Sequence, residues 1–165
     1  MLHTGHLSSG SVSVGDSVTV CVDYVRRSFI APNHTMTHVL NHALRRTLVE
    51  EASGKGGKTV VANIDQKGSL VDEDKLRFDF SWNGPLTPAQ LERVENLVNE
   101  NITQAHPVFA EVVALAPAKE IQSLRSVFGE KYPDPVRVLS VGADIQQLLA
   151  DPKNAKWGTS SIEFC

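Results

Sequence analysis

Residues 87–105 read TPAQLERVENLVNENITQA, the clearest helical pattern in the chain. Thr87 has the type and place of an N-cap, Pro88 suits the first helical position, and Gln90 completes a capping-box spacing. Leu91, Val94, Leu97, Val98 and Ile102 form an apolar stripe at helical intervals. The spacing predicts a helix over 87–105. Before it, KLRFDFSW (75–82) alternates Leu76, Phe78, Phe80 and Trp82, the period of a half-buried strand. After it, VFAEVVA (108–114), VRVLSV (136–141) and residues 160–165 read as strands. AKEIQSL (118–124) and ADIQQLLA (143–150) read as short helices between them. Strands and helices interleave without a glycine-rich phosphate loop or a regular βαβ rhythm. The expected fold class is therefore α+β, with helices packed on a mainly antiparallel sheet.

Toward the N-terminus, residues 33–50 read as a second helix, with Asn33 as its N-cap and no glycine or proline until Gly54. Between the two helices lie a glycine-lysine run at 54–58, read as a loop, and TVVANI (59–64), read as a short strand. Residues 10–24, GSVSVGDSVTVCVDY, alternate around Val12, Val14, Val18, Val20 and Val22, with Gly15-Asp16 as a turn. This pattern predicts a β-hairpin. The hairpin has little before it to pair with, and the chain stops at an apolar strand, so the expectation is a piece truncated at both ends.

Composition narrows the function. The chain has 165 residues, enough for one domain with a core of its own. Apolar residues at 41% and charged residues at 21% mark it as globular rather than disordered. No apolar run approaches the ~20 residues of a membrane span, and MLHTGHLSSG lacks the order of a secretory signal. Two cysteines, Cys21 and Cys165, are too few for a disulfide framework, so a reducing, cytoplasmic setting is expected. The formal net charge of −3 announces no polyanion partner. Any nucleic-acid contact needs local patches, such as Arg26-Arg27, Arg45-Arg46 or the run at 54–58.

The strongest chemical signal lies in NHTMTHVLNH (33–42), where His34, His38 and His42 fall at four-residue steps. Residues four apart stack on one helix face, so His34 and His38 can point at one metal ion. Met36, Leu40, Ala43, Leu44 and Thr47 centre on nearly the opposite side, which puts the histidines toward a cleft or solvent. His42 is too far along, because ligands on three consecutive turns span more than about ten ångströms at ~1.5 Å per residue. Its expected place is beside the ligands or in solvent. Zinc takes about four nitrogen or sulfur ligands, and Cys165 is the obvious third candidate. Cys21, between Val20 and Val22, reads as a small buried or surface residue.

Five blocks then carry a resemblance. RRSFIAPNHTMTHVLNHALR (26–45), QKGSLV (66–71), LRFDF (76–80), YPDPVRVLSVG (132–142) and SIEFC (161–165) resemble, in order, the editing domain of alanyl-tRNA synthetases, of the eukaryotic cytoplasmic type. The related second additional domain of threonyl-tRNA synthetase shares that α+β two-layer sandwich. The resemblance implies an editing domain over 25–165, incomplete at its C-terminus, with 1–24 closing a preceding β-rich segment. It implies zinc held by His34, His38 and Cys165, with the family's fourth ligand four residues beyond the chain end. It implies hydrolysis of seryl- or glycyl-tRNA for alanine, a proofreading step needed because one methyl group discriminates weakly. The partners implied are the acceptor end of that tRNA and the rest of the synthetase, whose ATP-binding region is not in this chain.

For the chemistry, Gln66 matches a family position near the editing pocket. Glu163 shares a strand face with Cys165 by the period of two and is placed to position a ligand or a water. Thr35 and Thr37 flank the metal pair, where a hydroxyl could read serine. Arg26, Arg27, Lys67 and Gly68 are the expected tRNA contacts. EEASGKGGKTVVANID (50–65) is longer than is usual in the family and puts Gln66 in doubt more than the ligands. The competing reading is a tRNA-binding or structural zinc module without turnover.

Overall fold

The computed structural model describes residues 3–54, 64–127 and 129–165. In chain order the elements are α1 (Tyr24–Gly54), β1 (Gln66–Val71), β2 (Leu76–Phe80), α2 (Pro88–Gln104), β3 (Val108–Val113), α3 (Leu115–Lys119), β4 (Val136–Val141), α4 (Ile145–Ala150), a 3-10 turn at Ala155–Thr159, and β5 (Ser161–Phe164). Two antiparallel sheets result among the described residues, β1-β2 and β3-β4-β5. The α+β class expected from the sequence is the one observed.

α2 forms as its sequence predicts. The Thr87 hydroxyl accepts from the Gln90 amide and the Gln90 side chain accepts from Thr87 N–H, a complete capping box. It ends at Ala105, which adopts a left-handed conformation (φ 46°).

α1 departs from expectation at its start. Asp23, not Asn33, caps it, its carboxylate accepting from Arg26 N–H at 3.0 Å. Pro32 lies inside the helix, where it removes one backbone donor. Asn33 instead donates to the carbonyls of Asp72 and Glu73 at 3.0 and 3.3 Å, tying α1 to the β1-β2 hairpin.

Residues 3–23 form no strand, so the predicted hairpin is not there. A local turn survives, with Asp16 N–H donating to Ser13 carbonyl at 3.1 Å, but Val12, Val14, Val18, Val20 and Val22 are exposed. Alternation alone does not hold a two-stranded hairpin, which is marginal without a face to pack on. The strand expected at 59–64 falls almost wholly outside the described residues. The first helical turn after β3 begins at Leu115, earlier than the predicted 118–124, and QKGSLV forms a strand.

β4 organises the larger sheet. Val136 and Val138 face a cluster with Ala118, Ile145, Leu148, Trp157 and Ile162. Leu139 and Val141 face the other way and pack on Val39 of α1. A central strand covered on both faces is apolar on both, as VRVLSV is apart from the exposed Arg137 and the buried Ser140. A second cluster joins α1 (Ala43, Leu44, Leu48) to Val94 of α2 and Ile64, with Phe78 and Phe80 of β2 packed against it. α1 is thus held between the sheet, α2 and the β1-β2 hairpin, and its middle is buried on nearly every side.

Candidate metal centre

Two elements 125 residues apart in sequence meet at the site, where His38 on α1 contacts Glu163 on β5. His34 and His38 stand one turn apart, their ring centroids separated by 5.1 Å. Cys165 follows the last residue of β5 and is fixed by its own N–H, which donates to the Arg137 carbonyl at 3.0 Å. Its Sγ lies 3.9 Å from His34 Nε2. One ligand atom from each of His34, His38 and Cys165 lies within 4.8 Å of the others, so the three could hold a metal ion. The sequence expectation for these three residues is met in space.

The electrostatics suit such an ion. Hydrogen bonding to His34, and then to His38, pulls the Cys165 thiol down to about 6 against the effect of burial, so thiolate is accessible near neutral pH. Burial opposes a charge on His38, but Cys165 and Glu163 outweigh it and raise the ring to about 9. His38 Nδ1 is bonded to Glu163 Oε2, and a carboxylate only accepts, so that nitrogen carries hydrogen. Nε2 is buried, with no partner at full hydrogen-bond geometry, and the Cys165 thiol is the group that acts on it. A metal ion would take the place of the proton held there. An orphaned imidazole nitrogen beside a second imidazole and a low-pKa thiol is a donor set that fits zinc.

Behind the three ligands is a buried polar seam. Glu163, 6% exposed, accepts from Asn41 Nδ2 at 2.5 Å and Arg125 Nε at 2.6 Å through one oxygen. Its other oxygen holds His38. Burial alone would raise Glu163, yet His38 and Arg125 keep it below the ordinary carboxylate range. His42 is buried as well, contrary to the expectation of a cleft- or solvent-facing stripe. Its Nδ1 lies 3.2 Å from Arg125 Nη1, and burial followed by the charges of Arg125 and Arg46 lowers it to about 4. His42 is therefore neutral and accepts from the guanidinium. His38 and His42 are buried because β5 lies along α1 there, a contact the helical wheel does not contain, while His34 stays half-buried.

A cleft of about 200 Å³ opens over the ligands, lined among others by His34, His38, Gln66, Ser126, Val127 and Cys165. Gln66 is set there by α1, since Arg45 donates to the Ile64 carbonyl at 2.9 Å just before β1 begins. The other predicted residues fall elsewhere. The Thr35 and Thr37 hydroxyls turn back onto the α1 carbonyls of Ala31 and Asn33 at 3.2 and 3.0 Å, and neither lines the cleft. Arg26 pairs with Glu73 on the surface. Lys67 lies 3.7 Å from Asp65. Arg27, Lys67 and Gly68 are outside the cleft, and Gly68 backs onto Asp79. Lys55 and Lys58 lie outside the described residues. Sequence reasoning missed Asn41 and Arg125. The one available signal for Arg125 was its standing as the only charge in IQSLRSVF (121–128).

An α+β chain with a His-His-Cys cluster under a small cleft fits a class of metal-binding domains, and comparison narrows the class. The chain is 48% identical over all of its 165 residues to the alanine–tRNA ligase of Candida albicans. It is 47% identical over 167 aligned residues to the cytoplasmic alanine–tRNA ligase of Dictyostelium discoideum and 47% identical over 165 residues to the mitochondrial one of Saccharomyces cerevisiae. In each case it spans 16% of the relative's length. Over its whole length, then, the chain is homologous to one segment of the alanine–tRNA ligases. No family model and no solved structure matches it. Among the described residues no helix is long and apolar enough to cross a membrane.

Proposed function

We propose that this segment proofreads: it hydrolyses seryl- or glycyl-tRNA for alanine, as a zinc-dependent deacylase acting in the cytoplasm as part of an alanine–tRNA ligase. The observation that carries the reading is the meeting of His34, His38 and Cys165 under a cleft that also receives Gln66. Homology to a segment of the alanine–tRNA ligases supports tRNA for alanine as the substrate.

In the reaction a water adds to the ester carbonyl. The bond to the terminal ribose oxygen breaks, releasing free amino acid and a tRNA hydroxyl. His34, His38 and Cys165 would hold zinc, which supplies Lewis acidity toward an ester carbonyl or a water. Gln66, whose Nε2 now donates to Ser69 Oγ at 3.2 Å, is the cleft residue free to turn its amide to the carbonyl or the amino acid. Both Glu163 oxygens are occupied by His38, Asn41 and Arg125. Its work is to orient His38, not to take a proton from water. The cleft, about 200 Å³, has room for an aminoacyl group. Arg26, Arg27, Lys67 and Gly68 would contact its phosphates, as contacts that position and do not specify. Thr35 and Thr37 would read a serine hydroxyl only after leaving their helix carbonyls.

The test is release of serine from seryl-tRNA for alanine by the zinc-supplemented chain, with alanyl-tRNA as control. Serine is released selectively, and His38→Ala abolishes release while the circular dichroism spectrum is retained. Release undiminished in His38→Ala would overturn the metal assignment. Binding of tRNA with no release by the folded, zinc-loaded chain would leave the competing reading, a binding or structural zinc module.

A further inference from the structure

We propose that Arg125 is a positioning residue of this centre, a side chain that braces α1 against β5 and so sets the His38 ring for metal. The inference rests on the metal-site reading above and goes beyond it, because Arg125 reaches no ligand atom itself.

Each arm of the guanidinium is committed in a different direction. Nε donates to Glu163 Oε1 at 2.6 Å. Nη2 donates to Ser161 Oγ at 2.6 Å and, more weakly, to the His38 carbonyl at 3.4 Å. Nη1 meets His42 Nδ1 at 3.2 Å. Ser161 Oγ in turn donates to the same His38 carbonyl at 3.0 Å. Arg125 therefore grips two residues of β5 and two of α1, the elements that carry Cys165 on one side and His34 and His38 on the other.

Its backbone is fixed independently. Arg125 N–H donates to the Ile162 carbonyl at 2.9 Å, and its carbonyl accepts from Phe164 N–H at 3.1 Å. These two bonds bracket Glu163 on the edge of β5 that β4 does not use. The side chain thus starts from a fixed point directly beside the carboxylate it must hold. Glu163, held by Arg125 and Asn41, turns its second oxygen to His38 Nδ1 and leaves Nε2 toward Cys165. Outer partners of this kind fix the orientation of a ligating imidazole.

The role demands arginine. A guanidinium spreads donors over a rigid planar fork, whereas a lysine ammonium gathers three donors at a point. Lysine keeps the charge beside Glu163 but cannot reach His42, Ser161 and Glu163 together. Arg125 is 7% exposed, so Arg125→Ala would leave Glu163 buried without its guanidinium and His42 Nδ1 without its donor, and is a poor test if it does not fold.

The experiment uses Arg125→Lys in the 165-residue chain, with two readings on folded protein. One is the His38 ring Nδ1–H proton, observed by NMR in the metal-free chain, where its hydrogen bond to Glu163 places it far downfield. The other is zinc affinity by competition with a chromophoric chelator. The expected result is loss or a large upfield shift of that proton, with zinc affinity lowered about 10- to 100-fold. An unmoved ring proton overturns the proposal, whatever the affinity does, since any weakening would then arise elsewhere. If the unsubstituted chain binds no zinc, the metal reading fails by itself. The ring proton still decides: shifted in Arg125→Lys, the positioning role stands; unshifted, it falls.

Discussion

The two faces of β5 are both buried and have nothing chemical in common. Ile162 and Phe164 drop into the apolar cluster with Val138, Ile145, Leu148 and Trp157. Ser161 and Glu163, from alternate positions, face α1 and join Arg125, His38, Asn41 and His42. One face is held by area removed from water, which has no preferred direction. The other is held by hydrogen bonds among buried charges, which are strong in one arrangement and costly in any other. The apolar face can repack around a change of shape. The polar face cannot, and that intolerance is what a metal site needs, because ligand atoms must stay where they are put.

The largest effect expected from this contrast is that of Glu163→Ala. It removes the acceptor of Arg125, Asn41 and His38 and leaves a guanidinium buried without its carboxylate. Breaking one side of such a pair costs about 3–5 kcal/mol, to be read from urea unfolding of the metal-free chain. A loss below 1 kcal/mol would mean that water enters the seam, and the contrast between the two faces would collapse.

Next in size is a pH dependence that only the polar face can supply. In the unfolded chain His42 takes up a proton near its ordinary value of about 6.5. In the folded chain burial, with Arg125 and Arg46, delays that uptake to about 4. The unfolded state therefore binds more protons between these values, so stability is present above about 6.5 and is lost as pH falls toward 4. The full shift corresponds to roughly 3 kcal/mol at most. Glu163, held below its usual range, adds to the loss at the acid end. Unfolding midpoints between pH 7 and 4 should fall less steeply in His42→Gln, which keeps an acceptor for Arg125 but does not titrate. Equal slopes in the two proteins would remove His42 from the seam's electrostatics.

The same contrast explains what the sequence could show. The apolar faces were legible because burial leaves a period: Leu76, Phe78 and Phe80 mark β2, and VRVLSV marks a strand covered on both sides. The capping box of α2 was legible because its two partners are three residues apart. His34, His38 and Cys165 were legible from the four-residue step and from the resemblance of their flanking blocks. The seam was not. Arg125 meets partners 36 to 87 residues away, and no local spacing encodes such a meeting. His42 was misplaced for a related reason: a helical wheel gives one inside and one outside, whereas α1 is covered on several sides at once. The valines of 10–24 failed in the opposite way, since they carry the period of a strand with no partner among the described residues to pack on.

The smallest effect, and the sharpest check on the independence of the two faces, is Ile162→Val. Ile162 lies between Ser161 and Glu163 and is fully buried, so it is as close to the seam in sequence as a residue can be. Deleting one methylene from a packed core costs about 0.5–1.5 kcal/mol, and unfolding should register that loss. Zinc affinity should not move, because the side chain points to the other face and Arg125 binds the Ile162 carbonyl, which the substitution leaves in place. A parallel drop in zinc affinity would show that β5 transmits small shifts from its apolar face to the ligands. The sheet would then help set the metal site, a task otherwise left to the polar seam.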